Sequence, residues 1–225
     1  MNPAFEIIAK EALLFITNNI IVGLGSGSTA EYFISVLSKK CREENLNLCC
    51  VASSMKSAKL AQSMGLKIIE LTKQVDVTFD GTDQIDTGGN LIKGRGGALF
   101  REKILAYNSK KMIVMATAKK EVSKLGKCAL PLEIAIFGCD NTKRQLEKNG
   151  YQATFRKQEN GQNFITDNGN YIIDITYDDF ISDPYEEERK IKSIPGVIET
   201  GFFLKLASGK IIVQEDTLKS KVEFF

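Results

Sequence analysis

The stretch IIVGLGSGST, residues 20–29, decides how this chain is read. Ile20, Ile21 and Val22 form a short apolar run suited to a buried strand. Gly23, Gly25 and Gly27, interleaved with Ser26, Ser28 and Thr29, form a glycine-rich turn, and Ala30 to Lys40 continues with helical periodicity. Strand, glycine turn and helix in that order make a βα unit. The unpaired N–H groups and the positive end of the helix suit an anion, and a phosphate fits there. The spacing is not that of the dinucleotide fingerprint, because Ser28 stands where a third glycine belongs. It is not a nucleotide-triphosphate loop either, because no Gly-Lys-Ser/Thr follows. Taken alone, the same residues also fit a tight turn that needs glycine only for its backbone geometry.

Working outward, residues 3–18 place Phe5, Ile8, Ala12, Leu13 and Ile16 on one helical face, with Pro3 suited to the first turn. Downstream come an apolar run at 48–52, a helix near 54–64, strands at 67–71 and 75–79, a helix over 97–107, and Met112 to Ala116 as a strand buried on both faces. Strands alternating with helices predict a Rossmann-like, doubly wound, mostly parallel α/β sheet over residues 1–127. From Pro131 the rhythm changes: strand 132–137, helix 140–149 capped by Asp140 or Asn141 and stopped by Gly150, strands 151–157 and 171–176, helix 185–193 and strand 197–203. That βαββαβ order predicts a smaller ferredoxin-like α+β domain over 128–203. Two apolar runs, Phe202 to Leu206 and Ile211 to Val213, flank Ser208-Gly209. The second is expected to return to the first sheet, so residues from about 204 to 225 join the first domain.

Composition narrows the chemistry. Lys+Arg 30 against Asp+Glu 28 in 225 residues, with no long basic run, argues against nucleic acid or an anionic membrane as partner. No leader-like start and no 18-residue apolar run occurs, so a cytoplasmic protein is expected. Cys41, Cys49, Cys50, Cys128 and Cys139 include no Cys-x-x-Cys pair and fit free, buried thiols in a reducing compartment. The chain has no histidine, which excludes Ser-His-Asp and Cys-His catalysis and His-ligated zinc. A general base must then be a carboxylate, Lys, Tyr or Cys.

Two further segments carry candidate chemistry. DGTDQID (80–86) follows the 75–79 strand, at the edge where open α/β sheets bind ligands, and Asp80 and Asp83 are expected to face one crevice while Asp86 caps a turn. KGRGGALFREK (93–103) sets Lys93 before a glycine-rich helix entry and Glu102 in the helix's early turns. Turn chemistry explains the aspartates equally well in isolation, and a surface pair with Arg101 or Lys103 explains Glu102. All three segments, however, follow strands and end on the same side of one expected sheet.

With these residues in hand, the chain resembles the ribose-5-phosphate isomerase A family. The likeness runs through GLGSGST (23–29), DGTDQID (80–86), NLIKGRGGALFREKI (90–104), LGKCALPLEI (125–134), TDNGNYIIDI (166–175) and IPGVIETGFF (194–203). The resemblance implies an aldose–ketose isomerase interconverting ribose 5-phosphate and ribulose 5-phosphate, with no cofactor and no metal, assembled as a homodimer or a dimer of dimers. It implies Glu102 as the proton-transferring base, with Asp80, Asp83 and Lys93 around the sugar's reacting end. It also implies a substrate-binding set of Ser26, Gly27, Ser28, Thr29, Gly81, Thr82, Gly94, Arg95, Gly96 and Lys120, beside those aspartates and Lys93. The chain departs from the family pattern at Gln84, usually Glu, and at Arg95, which interrupts the glycine run.

The residues suit proton transfer through an enediolate better than a metal-assisted hydride shift, because no histidine helps to build a metal site and Lys93 supplies positive charge. Two other readings compete. One is a different reaction on the same type of fold, such as amino-sugar-phosphate deamination or coenzyme A transfer, of which the deamination is disfavoured by the missing histidine. The other is a non-catalytic sugar-phosphate sensor, which wants a DNA-binding helix pair where only one helix precedes the first strand.

Overall fold

The structure, a computed structural model, describes residues 2–225. Its first half runs α1 (Pro3–Leu13), β1 (Ile21–Leu24), α2 (Ser28–Glu43), β2 (Cys49–Ala52), α3 (Met55–Ser63), β3 (Val77–Asp80), β4 (Gln84–Ile85), β5 (Leu91–Ile92), α4 (Leu99–Tyr107) and β6 (Met112–Thr117). A 3-10 turn (Ala118–Lys120) leads on to β7 (Ala129–Ile134), α5 (Cys139–Lys148), β8 (Gln152–Phe155), β9 (Tyr171–Thr176), α6 (Pro184–Lys192), β10 (Val197–Thr200), β11 (Phe202–Phe203), β12 (Gly209–Val213) and β13 (Ser220–Phe224). The chain divides into two units. One holds the residues up to Thr82 with Arg101–Glu121 and Lys205–Phe225; the other holds Asp83–Phe100 and Val122–Leu204.

In the first unit, six strands among the described residues form one sheet in the order β13-β12-β6-β3-β1-β2. Every neighbouring pair is parallel except β12 and β13. The predicted doubly wound sheet is therefore present, and Ile211 to Val213 returns to it beside β6. Asn2 caps α1 by accepting from the Ala4 N–H (3.0 Å), with Pro3 in the first turn, where its missing N–H leaves no bond unmade. Helix α1 buries Ala4, Ile8, Ala9 and Ala12, and α2 buries Phe33, Ile34 and Leu37 in the same apolar cluster as Val22, Leu24 and Phe79. The Phe33 and Phe79 rings lie 4.6 Å apart.

One expectation fails in this unit and one strand is not foreseen. Residues 67–71 form no strand: Ile68 makes a single bridge with Cys50, after which the Thr72 N–H turns back to the Glu70 carbonyl. The edge strand β13 also escapes the sequence pattern, because four of its five residues are exposed and its polar positions mask the alternation.

In the second unit, β10-β7-β9-β8 form an antiparallel sheet. Counting its strands along the chain, the spatial order is fourth, first, third, second, as a ferredoxin-like βαββαβ unit requires. Leu130, Leu132, Ile134, Leu146, Ile173, Ile175 and Ile191 fill its core. Helix α5 begins one residue early, with Gly138 (φ 71°) at the cap position, so Asp140 and Asn141 lie in the first turn and neither caps the helix.

The expected strand 197–203 splits at Gly201. Its second piece, β11, pairs with β5 and joins a small sheet ordered β11-β5-β4. That pairing draws residues 83–100, which chain order assigns to the first domain, into the second unit.

Candidate active site

The 23–29 turn is built against an aspartate. Leu24 ends β1, and a Cβ placed on Gly25 would lie 2.1 Å from Asp80 Oδ1, so only glycine lets the backbone come this close. Asp80, the last residue of β3 and 1% exposed, accepts hydrogen bonds at that oxygen from the Ser26 N–H (3.0 Å) and the Gly81 N–H (2.8 Å). Helix α2 then starts at Ser28 behind Gly27, with no side chain capping it, and a helix N-terminus of this kind suits an anion.

A serine cluster that the sequence reading passed over supports this turn. Ser26 Oγ lies 2.9 Å from Ser53 Oγ, Ser57 donates to the Gly25 carbonyl (2.8 Å), and Ser54 caps α3. The signal was present in the run SSMKS just after a strand, where hydroxyl residues cap helices and brace turns.

Lys120 closes the 3-10 turn after β6 and is half-buried. Its neighbours are tied down on either side, Lys119 to Glu215 (2.7 Å) and Glu121 to the buried Lys210 (2.5 Å). Because β1, β3 and β6 are parallel, the glycine turn, Asp80 to Thr82 and Lys120 all leave the sheet at its carboxyl-terminal edge.

Glu102 lies in the first turn of α4 and is 5% exposed. Past the other end of that helix, Asn108 O accepts from the Val75 N–H just before β3 begins. The helix therefore runs antiparallel to the strands, and its first turn points to the same carboxyl-terminal edge.

The remaining candidates belong to the second unit. The Asp83 N–H donates to Ile92 O (2.9 Å), and its Oδ2 accepts from the Arg95 N–H (3.1 Å). Lys93 is 3% exposed, its N–H donates to Gly201 O (2.8 Å), and its Nζ sits 5.3 Å from the centroid of the Phe203 ring. Gly94 and Gly97 adopt φ values of 101° and 79°, whereas Arg95 and Gly96 are exposed and need no such conformation. The interrupted glycine run thus breaks at a position with no steric demand for glycine.

Gln84 forms a reciprocal pair with Gly126, donating to its carbonyl (2.7 Å) and accepting from its N–H (3.0 Å). A carboxylate could fill only the second role. Asp86 caps its turn as expected, accepting from the Gly88 and Asn90 N–H groups (2.8 and 2.9 Å).

All five cysteines are free, but only Cys50 is fully buried; the others are half-buried. Burial pushes the Cys50 thiol up to about 12. Burial together with the Asp83 charge pushes Cys128 up to about 11. Both are protonated and poorly nucleophilic at neutral pH.

A parallel sheet that gathers a glycine turn, buried carboxylates and a lysine at its strand ends defines an α/β protein built to hold a small anionic ligand at that edge. The model of the ribose 5-phosphate isomerase A (phosphoriboisomerase A) family matches residues 49–217, well over half of the chain. The chain belongs to that family. A ribose-5-phosphate isomerase A from Chlamydia muridarum is 42% identical over 202 residues, covering 89% of this chain and 84% of its own. Among solved structures, a ribose 5-phosphate isomerase from Plasmodium falciparum superposes with a TM-score of 0.95 at 33% identity, covering 100% of this chain and 99% of its own. A D-ribose-5-phosphate isomerase solved in complex with phospho-erythronic acid superposes with a TM-score of 0.92 at 35% identity, covering 99% and 98%.

Proposed function

We propose that this chain interconverts D-ribose 5-phosphate and D-ribulose 5-phosphate as an aldose–ketose isomerase, with Glu102 carrying the proton between C2 and C1. Membership of the isomerase family supports the reaction. The ligand of the related structure supports the route, because the planar carboxylate of a four-carbon phospho-acid resembles the two-oxygen end of an enediolate. The observation that carries the proton-transfer reading is the pairing, at one sheet edge, of a buried first-turn carboxylate at 102 with a buried Asp80 held against a glycine turn.

In this reading the turn at Ser26 to Thr29, with Gly81 and Thr82 beside it, binds the substrate, and Lys120 contacts it. Glu102 takes the C2 proton of the open-chain aldose and returns it to C1. Lys93 and the backbone donors of Gly94 and Gly96 stabilise the charge that grows on the oxygens. Asp80 or Asp83 moves protons between O1 and O2, which also helps to open the furanose ring. The reaction needs no metal, since Lys93 supplies the positive charge. The setting is the non-oxidative pentose phosphate pathway in the cytoplasm, with a homodimer or dimer of dimers as the assembly.

Conversion of ribose 5-phosphate in excess EDTA, measured for the wild type and for Glu102→Gln, tests this reading. The wild type keeps its full rate, and the variant binds substrate but loses turnover by about a hundredfold or more. Near-normal turnover in Glu102→Gln removes Glu102 from the mechanism. Loss of wild-type activity that magnesium restores removes the metal-free route. No conversion at all by wild type leaves the sensor reading in its place.

A further inference from the structure

Arg156, immediately after β8, holds the loop that carries Lys93 by its carbonyl groups. On one side its guanidinium grips Asp174 of β9 in a two-pronged ion pair, with Nε donating to Oδ2 at 2.9 Å and Nη2 donating to Oδ1. On the other side Nη1 donates to Gly94 O (2.8 Å) and Arg95 O (2.9 Å). Four of the five guanidinium N–H donors are thereby committed. The pair is only 15% and 23% exposed, and arginine's rigid fork can serve both sides where a lysine ammonium cannot.

The consequence follows from peptide planarity. No peptide among the described residues is cis, and in a trans peptide the C=O and N–H point in opposite directions. Drawing the Gly94 and Arg95 carbonyls toward Arg156 therefore turns the N–H groups of Arg95 and Gly96 the other way. The first of these meets Asp83 Oδ2 at 3.1 Å, which fixes the direction in which both point. Successive N–H groups aligned in this way form a small concavity that favours negative charge.

We infer that Arg156 is a positioning residue for the isomerisation: through the Gly94 and Arg95 carbonyls it aims the Arg95 N–H at the Asp83 carboxylate and the Gly96 N–H at the substrate oxygen that gains charge. This rests on the reading of residues 93–96 as part of the substrate site. Arg156 does not touch the substrate. Its loss loosens donors that matter most in the transition state, so kcat falls while KM for ribose 5-phosphate changes little.

The test compares Arg156→Lys and Arg156→Ala with Asp83→Asn and Lys93→Ala in steady-state kinetics, alongside thermal unfolding of each. Expected are a fall in kcat of about a hundredfold in both Arg156 variants, the scale of a slightly misplaced catalytic group, and partial recovery of Arg156→Ala by added guanidinium ion. Lysine keeps the charge but not the fork, so its failure to restore kcat separates aim from charge. If Arg156→Lys folds and keeps wild-type kcat, or if added guanidinium leaves a folded Arg156→Ala no faster, the positioning role is overturned while the site reading stands. If Asp83→Asn and Lys93→Ala keep wild-type kcat and KM, the reading of the loop itself fails and takes the inference with it.

Discussion

Replacing Gly25 by alanine puts the close approach between the glycine turn and β3 to a direct test. The new Cβ would lie 2.1 Å from Asp80 Oδ1, 2.2 Å from its Cγ and 2.6 Å from its Cβ, so the aspartate or the turn must move. Asp80 is buried at the end of a four-residue strand buried throughout, and its carboxylate has little room to retreat without giving up the Ser26 and Gly81 N–H bonds. Hydrogen bonds to a charged group contribute about 1.5–3 kcal/mol each, so losing both costs about 3–6 kcal/mol. Gly27→Ala is the matched control. Nothing lies within 4 Å of its Cβ position, and only the φ of 87° is penalised, by about 1–2 kcal/mol. At about 2–4 °C per kcal/mol for a chain of this size, thermal unfolding separates the two clearly. Conversion of ribose 5-phosphate should also fall in Gly25→Ala, because Asp80 is displaced there; Gly27, itself part of the proposed binding turn, serves as control for melting alone. A Gly25→Ala protein that melts no lower than Gly27→Ala and keeps its turnover would refute the argument that the turn is shaped by Asp80.

Three other outcomes follow from side chains outside that contact. Gln84→Glu sets a carboxylate against the Gly126 carbonyl and loses one of two hydrogen bonds, so urea unfolding at neutral pH should show a loss of about 1–3 kcal/mol; an unchanged midpoint would mean that the amide is not needed there. Asp76 is held below its ordinary 3.8 first by the Ile21 N–H and then by Lys110. Its contribution to stability is therefore present above that value and disappears as pH falls through the lowered one, so Asp76→Asn should show a shallower drop in melting temperature below about pH 4 than wild type, and parallel curves would contradict it. Glu133, fully buried in β7, accepts at Oε1 from Thr166 Oγ1 (3.0 Å), Asn168 Nδ2 (2.9 Å) and Asn170 Nδ2 (2.8 Å). Glu133→Ala strands those donors and should cost about 3 kcal/mol or more in urea unfolding, whereas a loss below about 1 kcal/mol would show that the 166–170 turn stands without it.

The sequence made the large elements legible because their signals are local. A βα turn shows as an apolar run followed by glycines, and β6 shows as an unbroken apolar run because both its faces are buried. Several of the failures have a different cause, which is that the deciding partner lies away from the segment itself. Strands β4, β5 and β11 have two residues each, too few for any period; β4 and β5 pair as a hairpin, and β11 pairs with β5 from more than a hundred residues further along the chain. Residues 67–71 carry strand-like residues, yet they obtain one bridge at the sheet edge and then turn away. Arg156 reads as the end of an amphipathic strand, and nothing in its neighbourhood announces the carbonyls sixty residues upstream.

The two departures from the family pattern show the same division between composition and contact. Read from the sequence, Gln84 is a lost negative charge beside a reactive site; in the structure it is an amide whose donor and acceptor are both taken by Gly126. Read from the sequence, Arg95 spoils a glycine run; in the structure the run holds two conformationally demanding glycines, at 94 and 97, and Arg95 enters through its backbone, its N–H on Asp83 and its carbonyl on Arg156. A side chain that is exposed can vary while the peptide it belongs to keeps its function. The glycine count therefore says less about this loop than the direction of two carbonyl groups, and that direction is set by an arginine in another part of the chain.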